Sequence, residues 1–185
     1  MATESFGPSA LATPANLVTL LRLVVTPILL LVIIGGGSTW PAVTFWIIMS
    51  CSDGLDGYLA RRQGTTRSGA FLDPLADKIL VLGAMIALVA KSVFWVLPVG
   101  LIFARELAIS GYRTYMGRKG VSIPARWWAK VKTVVQEVAV GFALLPLTKH
   151  HHIVANTALW LAVGLTLFTG GQYLLDGRKA AARAV

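Results

Sequence analysis

Long apolar blocks, each close to 20 residues and broken by short basic patches, set the strongest limit on what this chain can become. A block of that length matches the roughly 20 helical residues needed to cross about 30 Å of hydrocarbon. Of the 185 residues, 56% are hydrophobic and only 14% are charged, against about 25% charged in an average soluble domain. A soluble globule of this size would have too little polar surface, so the composition calls for several membrane-spanning helices. The length allows one domain. Disorder, collagen-like repeats and coiled coil are excluded by the same figures. A single cysteine, Cys51, rules out an intramolecular disulfide and a cysteine-based zinc site.

The blocks predict an all-α integral membrane protein of six helices, near 15–34, 40–61, 69 or 71–90, 93–116, 127–147 and 153–175. Residues 1–14 read as a tail or interfacial segment, 15–176 as the six-helix domain and 177–185 as a basic tail. The net charge is +9. In a soluble chain that would suggest nucleic acid. Here the expected partners are membrane lipids, because the basic residues are distributed unevenly between the two sides. The loops after the first, third and fifth helices hold only Lys91 and Lys149 among the lysines and arginines. The other 15 fall in the opposite loops, the tail, or helix segments leaning that way. The expectation is a multi-pass protein of the cytoplasmic membrane with both termini in the cytoplasm.

Four of the eight acidic residues, Asp53, Asp56, Asp73 and Asp77, lie in one 25-residue window. Aspartate at membrane depth is costly, so it faces a cavity and takes partners. Asp53 and Asp56 are three apart on the second helix; Asp73 and Asp77 are four apart on the third. Each pair therefore shares a helix face. The short join predicts that the two helices are antiparallel neighbours, with both pairs converging on one pocket. Arg61 and Lys78 are positioned to neutralise two of the acids. One or two divalent cations would balance the set more completely, and all-oxygen donors suit hard ions such as Mg²⁺ or Mn²⁺. An ion-pair network between helices, or a cation-transport site, would use the same acids.

The segment reads Asp53-Gly-Leu-Asp56-Gly57-Tyr-Leu-Ala60-Arg61, seven further residues, then Gly69-Ala-Phe-Leu-Asp73-Pro-Leu-Ala-Asp77. It resembles the signature of the CDP-alcohol phosphotransferases, D-x-x-D-G-x-x-A-R followed by G-x-x-x-D-x-x-x-D. Eight fixed positions match by chance about once in 10¹⁰ starts at average residue usage. The spacer is shorter than the family's usual eight or nine, and the deletion falls in the interhelical turn near Gly64. The resemblance implies six helices around a polar cavity open to the cytoplasm, in a homodimer. It implies transfer from a CDP-linked donor to an alcohol, with release of CMP. Asp53, Asp56, Asp73 and Asp77 would be ligands of what are expected to be two ions, and Asp77 also the general base. Gly57, Ala60, Arg61 and Gly69 would hold the CDP donor.

Flanking segments resemble the bacterial glycerol-3-phosphate branch of that family. They are Asn16-Leu-Val-Thr19-Leu-Leu-Arg22, Arg105-Glu106 with Ser110 and Arg113, and Lys130-Val-Lys132-Thr133 with Gln136-Glu137. The implied substrates are CDP-diacylglycerol and sn-glycerol 3-phosphate, and the implied products phosphatidylglycerophosphate and CMP. Arg105, Arg113, Lys130, Lys132 and Thr133 are candidates for the acceptor phosphate, since arginine grips phosphate with a fork and lysine with a point charge. Asn16, Thr19 and Arg22, on one face of the first helix, are further candidates. Glu106 and Glu137 are expected to orient the bases. Inositol phosphate or another polar alcohol would fit the same basic pocket.

Overall fold

The computed structural model describes the backbone of residues 14–63, 67–119, 127–148 and 153–182, and the side chains of 16–52, 72–119, 127–148 and 153–180. Among these residues all regular structure is helical. It comprises α1 (Pro14–Gly36), α2 (Trp40–Gln63), α3 (Arg67–Ala90), α4 (Val96–Arg118), α5 (Trp127–Leu144), a 3₁₀ turn (Pro146–Thr148) and α6 (Ile153–Ala182).

The helices end where local chemistry stops them. Gly37 takes φ +66°, and its N–H bonds the Ile33 carbonyl at 2.7 Å. This is the left-handed cap that glycine adopts without steric cost. Ser92 closes α3 the same way at φ 58°, with N–H bonds from Ser92 to Val89 O and from Val93 to Leu88 O, both 2.9 Å. Those two bonds form a Schellman motif. Val93 and Phe94 therefore belong to the cap of α3, and α4 starts later than the apolar run suggested. Pro146 ends α5 early, because the residue before proline avoids the helical region. α6 runs through Arg178 and Lys179 to Ala182, so the first part of the predicted tail is helix.

α1 shows which solvent the bundle faces. Its buried stripe is Asn16, Thr19, Arg22 and Thr26, all at most 2% exposed, continuing into Leu29 and Ile33. Its outward stripe is Leu17, Leu21, Val24, Ile28 and Leu31, with Val24 70% exposed. Polar groups point in and aliphatic ones out, the reverse of a helix packed in water. Large apolar side chains are likewise exposed on the other helices. α1 and α6 are long and apolar enough to cross a membrane alone, over Asn16–Gly36 and Ile153–Ala180; Trp40–Ser52 of α2 is a shorter apolar stretch.

α1 packs on α2 and α3, and α6 packs on α4 and α5. The two halves meet where α2 touches α5 and α3 touches α4 and α5. One apolar core unites them, centred on Leu29, Trp46, Met85, Ile102, Leu144 and Leu159. Gly83 brings α3 close to α1, because a Cβ there would stand 3.1 Å from Leu30 Cδ1. The expectation that α2 and α3 are antiparallel neighbours with their acids converging on one pocket rests on residues 53–71, whose side chains lie outside the described ones. Among the described residues α2 and α3 share no extended interface. α1 contacts both, so it supplies the link between the two motif helices.

Candidate active site

The site begins with α1. Thr19 Oγ1 donates to Asp73 Oδ1 at 2.7 Å. One turn on, Arg22 Nη1 pairs with Asp77 Oδ1 at 2.7 Å. Arg22 Nε also donates to Ser52 Oγ at 3.4 Å, and Ser52 immediately precedes Asp53 on α2. A guanidinium this deeply buried needs an anion, and Asp77 supplies one. Asp77 keeps 34% of its side chain exposed, whereas Arg22 keeps 1%. α1 thus holds two motif carboxylates on one face of α3 while Asp77 retains an open side.

The α2 half of the motif lies outside the described side chains. Asp53, Asp56, Gly57, Ala60 and Arg61 are on the helical backbone of α2, and Gly69 is on that of α3. Of the four candidate metal ligands, Asp73 and Asp77 have described side chains. The two residues sit about one turn apart on α3, and carboxylate oxygens are hard donors that fit a hard divalent cation.

Beyond Asp77 two adjoining cavities open, each of about 170 Å³, sharing Pro74, Lys78 and Glu106 as a common wall. The inner one is lined by Asp77, Lys132, Thr133 and Gln136. The outer one is lined by Arg105, Ser110, Arg113, Gln172, Tyr173 and Asp176, among others. Lys78 is turned to the α4 side, donating to Ser110 Oγ at 2.5 Å.

A polar network fixes the wall. The Lys132 ammonium pairs with Glu106 Oε1, as does Arg105 Nη1 at 2.9 Å. Arg105 Nη2 donates to Thr169 Oγ1 at 2.8 Å, and Gln136 Nε2 donates to Thr166 Oγ1 at 3.0 Å. Glu106, Lys132 and Gln136 are buried, so these partners meet the requirement that buried polar groups be satisfied. Gly170 lets Arg105 lie flat across α6, since a Cβ there would be 3.0 Å from Arg105 Nε and 3.4 Å from its Cγ.

The candidate acceptor residues separate accordingly. The structure brings Arg105, Arg113, Lys132 and Thr133 to the cavity pair, but not Lys130. Lys130 is exposed and lies about 200° around α5 from Lys132 at 100° per residue. Glu137 is also on another face. It lines a surface groove between α2 and α5 beside Trp46 and Ser50, and its carbonyl accepts from Trp46 Nε1 at 3.2 Å. Glu106 orients Arg105 and Lys132, whereas Glu137 lies at the α2–α5 groove, away from the cavity pair. Sequence reasoning missed the α6 wall of Thr169, Gln172, Tyr173 and Asp176. Its signal was present: polar positions at i, i+3, i+4 and i+7 in an otherwise apolar helix.

Carboxylates facing small cationic cavities inside a helical membrane bundle make a site suited to phosphate esters. A sequence profile of the CDP-alcohol phosphatidyltransferase family matches residues 12–168. The chain is 42% identical over 176 residues to a probable phosphatidylglycerophosphate synthase of Mycobacterium tuberculosis, covering 91% of this chain and 83% of that protein. It is 36% identical over 163 residues to a CDP-diacylglycerol–glycerol-3-phosphate 3-phosphatidyltransferase of Haemophilus influenzae, covering 84% and 88%. A protein of the same name from Bacillus subtilis is 34% identical over 183 residues, covering 89% and 95%. This chain belongs to the CDP-alcohol phosphatidyltransferase family, whose members are membrane-embedded and generally depend on a divalent metal.

Proposed function

We propose that the protein transfers the phosphatidyl group of CDP-diacylglycerol to a hydroxyl of sn-glycerol 3-phosphate, giving phosphatidylglycerophosphate and CMP in phospholipid synthesis. The relatives' activity supports the reaction. The observation that carries the site assignment is the contact between an aspartate and cationic cavities: Asp77 lines the inner one with Lys132, and Arg105 and Arg113 line the next.

Arg105, Arg113, Lys78 and Lys132 attract the dianionic acceptor and hold its phosphate. That places its free hydroxyl toward α3, where Asp77 accepts the proton. The hydroxyl oxygen attacks the phosphorus bound to diacylglycerol, the bond from that phosphorus to the CMP oxygen breaks, and CMP leaves. Alignment and charge balance account for most of such a barrier, so the chain needs no covalent intermediate. Arg22 and Thr19 keep Asp77 and Asp73 on the reacting face. Gly57, Ala60, Arg61 and Gly69 form the donor site. Asp53, Asp56, Asp73 and Asp77 would hold two Mg²⁺ or Mn²⁺ ions, which when bound neutralise the diphosphate. In this reading all six helices span the cytoplasmic membrane, the cavities and both termini face the cytoplasm, and the enzyme is a homodimer.

The test is CMP release by purified protein in liposomes with CDP-diacylglycerol and Mg²⁺. Glycerol 3-phosphate and inositol 1-phosphate are offered separately, with Asp77→Asn and a chelator as controls. Release with glycerol 3-phosphate alone, lost in both controls, is expected. Release only with inositol 1-phosphate would overturn the acceptor, and undiminished release from Asp77→Asn would remove Asp77 as the base.

A further inference from the structure

We infer that Ser110 is a positioning residue for the acceptor: its hydroxyl holds the Lys78 ammonium on the wall between the two cavities and so keeps that charge for a phosphate ligand. The inference rests on the proposed transfer reaction, in which Ser110 has no part so far.

Lys78 is half-buried and lines both cavities. It reaches from α3 to α4, where its ammonium donates to Ser110 Oγ at 2.5 Å. Among the described residues that is its one hydrogen bond, and it pairs with no carboxylate. An ammonium has three donors, so two are left for a ligand or water. A cation at membrane depth without an anion is costly, which is the usual mark of a functional site.

Glu106 is the carboxylate on α4 that could have taken it. Glu106 and Ser110 are four apart, so they stand one above the other on the same helix face, and both line the outer cavity. Glu106 Oε1 already receives Lys132 and Arg105 Nη1. A bond to a neutral hydroxyl fixes Lys78 without cancelling its charge, whereas a bond to Glu106 would cancel it.

The hydroxyl itself is turned to this task. Thr26, Thr114, Thr133 and Thr169 donate to the carbonyl four residues earlier in their own helices, the common habit of a helical hydroxyl. Ser110 makes no such bond among the described residues and accepts from Lys78 instead. Its orientation serves the cation across the wall. Without that hydroxyl, Lys78 would swing one turn back along α4 to Glu106 and withdraw its charge from the cavity wall. Acceptor affinity would fall, while the donor, held elsewhere, would be little affected.

The experiment measures KM for glycerol 3-phosphate and for CDP-diacylglycerol by CMP release in liposomes. The proteins are wild type, Ser110→Ala, Ser110→Thr, Thr114→Ala, Lys78→Met and the Lys78→Met, Ser110→Ala double variant. Ser110→Ala should raise the acceptor KM about three- to tenfold and leave the donor KM within about twofold. Ser110→Thr keeps the hydroxyl and should stay within about twofold of wild type, as should Thr114→Ala, whose hydroxyl serves only its own helix. Lys78→Met should raise the acceptor KM at least about tenfold. Adding Ser110→Ala to it should then cost less than about twofold, because the side chain that Ser110 positions is gone. An unchanged acceptor KM in Ser110→Ala, an equal rise for donor and acceptor, or no rescue by threonine would overturn the inference. A full further loss in the Lys78→Met background would overturn it too, since Ser110 would then act on the ligand directly. A wild-type acceptor KM in Lys78→Met would remove Lys78 from the acceptor site, and Ser110 with it. No CMP release by wild type would overturn the transfer reaction itself, and this assignment with it.

Discussion

Arg22 and Asp77 should behave as one functional unit, and a double-mutant cycle measures that. Arg22→Met removes the buried charge while nearly conserving volume, so the bundle keeps its packing. The bond lost is a charge-assisted one at 2.7 Å. Such bonds contribute about 1.5–3 kcal/mol, or about 10- to 150-fold if fully expressed in the rate. Asp77 is one-third exposed, so water replaces part of the contact and the lower end applies. The expected cost is about 10- to 30-fold in kcat. The same change made in an Asp77→Asn background should cost less than about twofold, because the carboxylate Arg22 positions is already gone. The assay is CMP release at saturating donor and acceptor for the four proteins, alongside unfolding midpoints in detergent. If the two losses multiply while the midpoints stay together, Arg22 does not act by holding Asp77 and the reasoning fails.

Arg113→Ala should raise the KM for glycerol 3-phosphate several-fold more than that for the donor, whereas Lys130→Ala, on the other face of α5, should leave both KM values within about twofold; initial-rate kinetics with each substrate varied will show it. Gly170→Ala should push Arg105 off its seat and weaken acceptor binding about three- to tenfold. Gly171→Ala, whose Cβ would meet nothing within 4 Å, should leave KM unchanged and add up to about 1 kcal/mol of helix stability; acceptor titrations and thermal unfolding separate the two. Lys132→Met should destabilise the bundle by about 1.5–3 kcal/mol, because Glu106 loses one charge-assisted bond but keeps Arg105; the fall in the thermal unfolding midpoint measures it.

What could be read from the sequence was whatever repeats along a single helix. The Asn16–Thr19–Arg22 stripe and the Asp73–Asp77 pair each lie within two turns, so their shared faces follow from helical spacing alone. The same spacing separates Lys130 and Glu137 from Lys132, so shared charge character along α5 does not put them on one face. Helix ends were less legible. Arg178 and Lys179 looked like a tail because they follow an apolar block, yet three alanines after them favour continued helix. That α1 packs on both motif helices depends on contacts across 30 to 55 residues, such as Arg22 with Ser52 and with Asp77, which no local pattern encodes. Tyr173 carries no charge, and its place on the cavity wall follows only from the packing of α6.

The buried ion pair of α1 also constrains how the chain is made. Arg22 enters the bilayer 55 residues before Asp77 exists, which at about 5–20 residues per second is an interval of several seconds. A central arginine costs about 2.5–3.5 kcal/mol on insertion scales. During that interval Arg22 must reach back toward the headgroups at the helix's own N-terminal end. Only the arrival of α3 lets it turn inward. The step that completes membrane insertion of α1 is therefore the same step that first assembles part of the acidic face, so a chain stalled after α2 would hold neither a settled first helix nor the beginnings of a site.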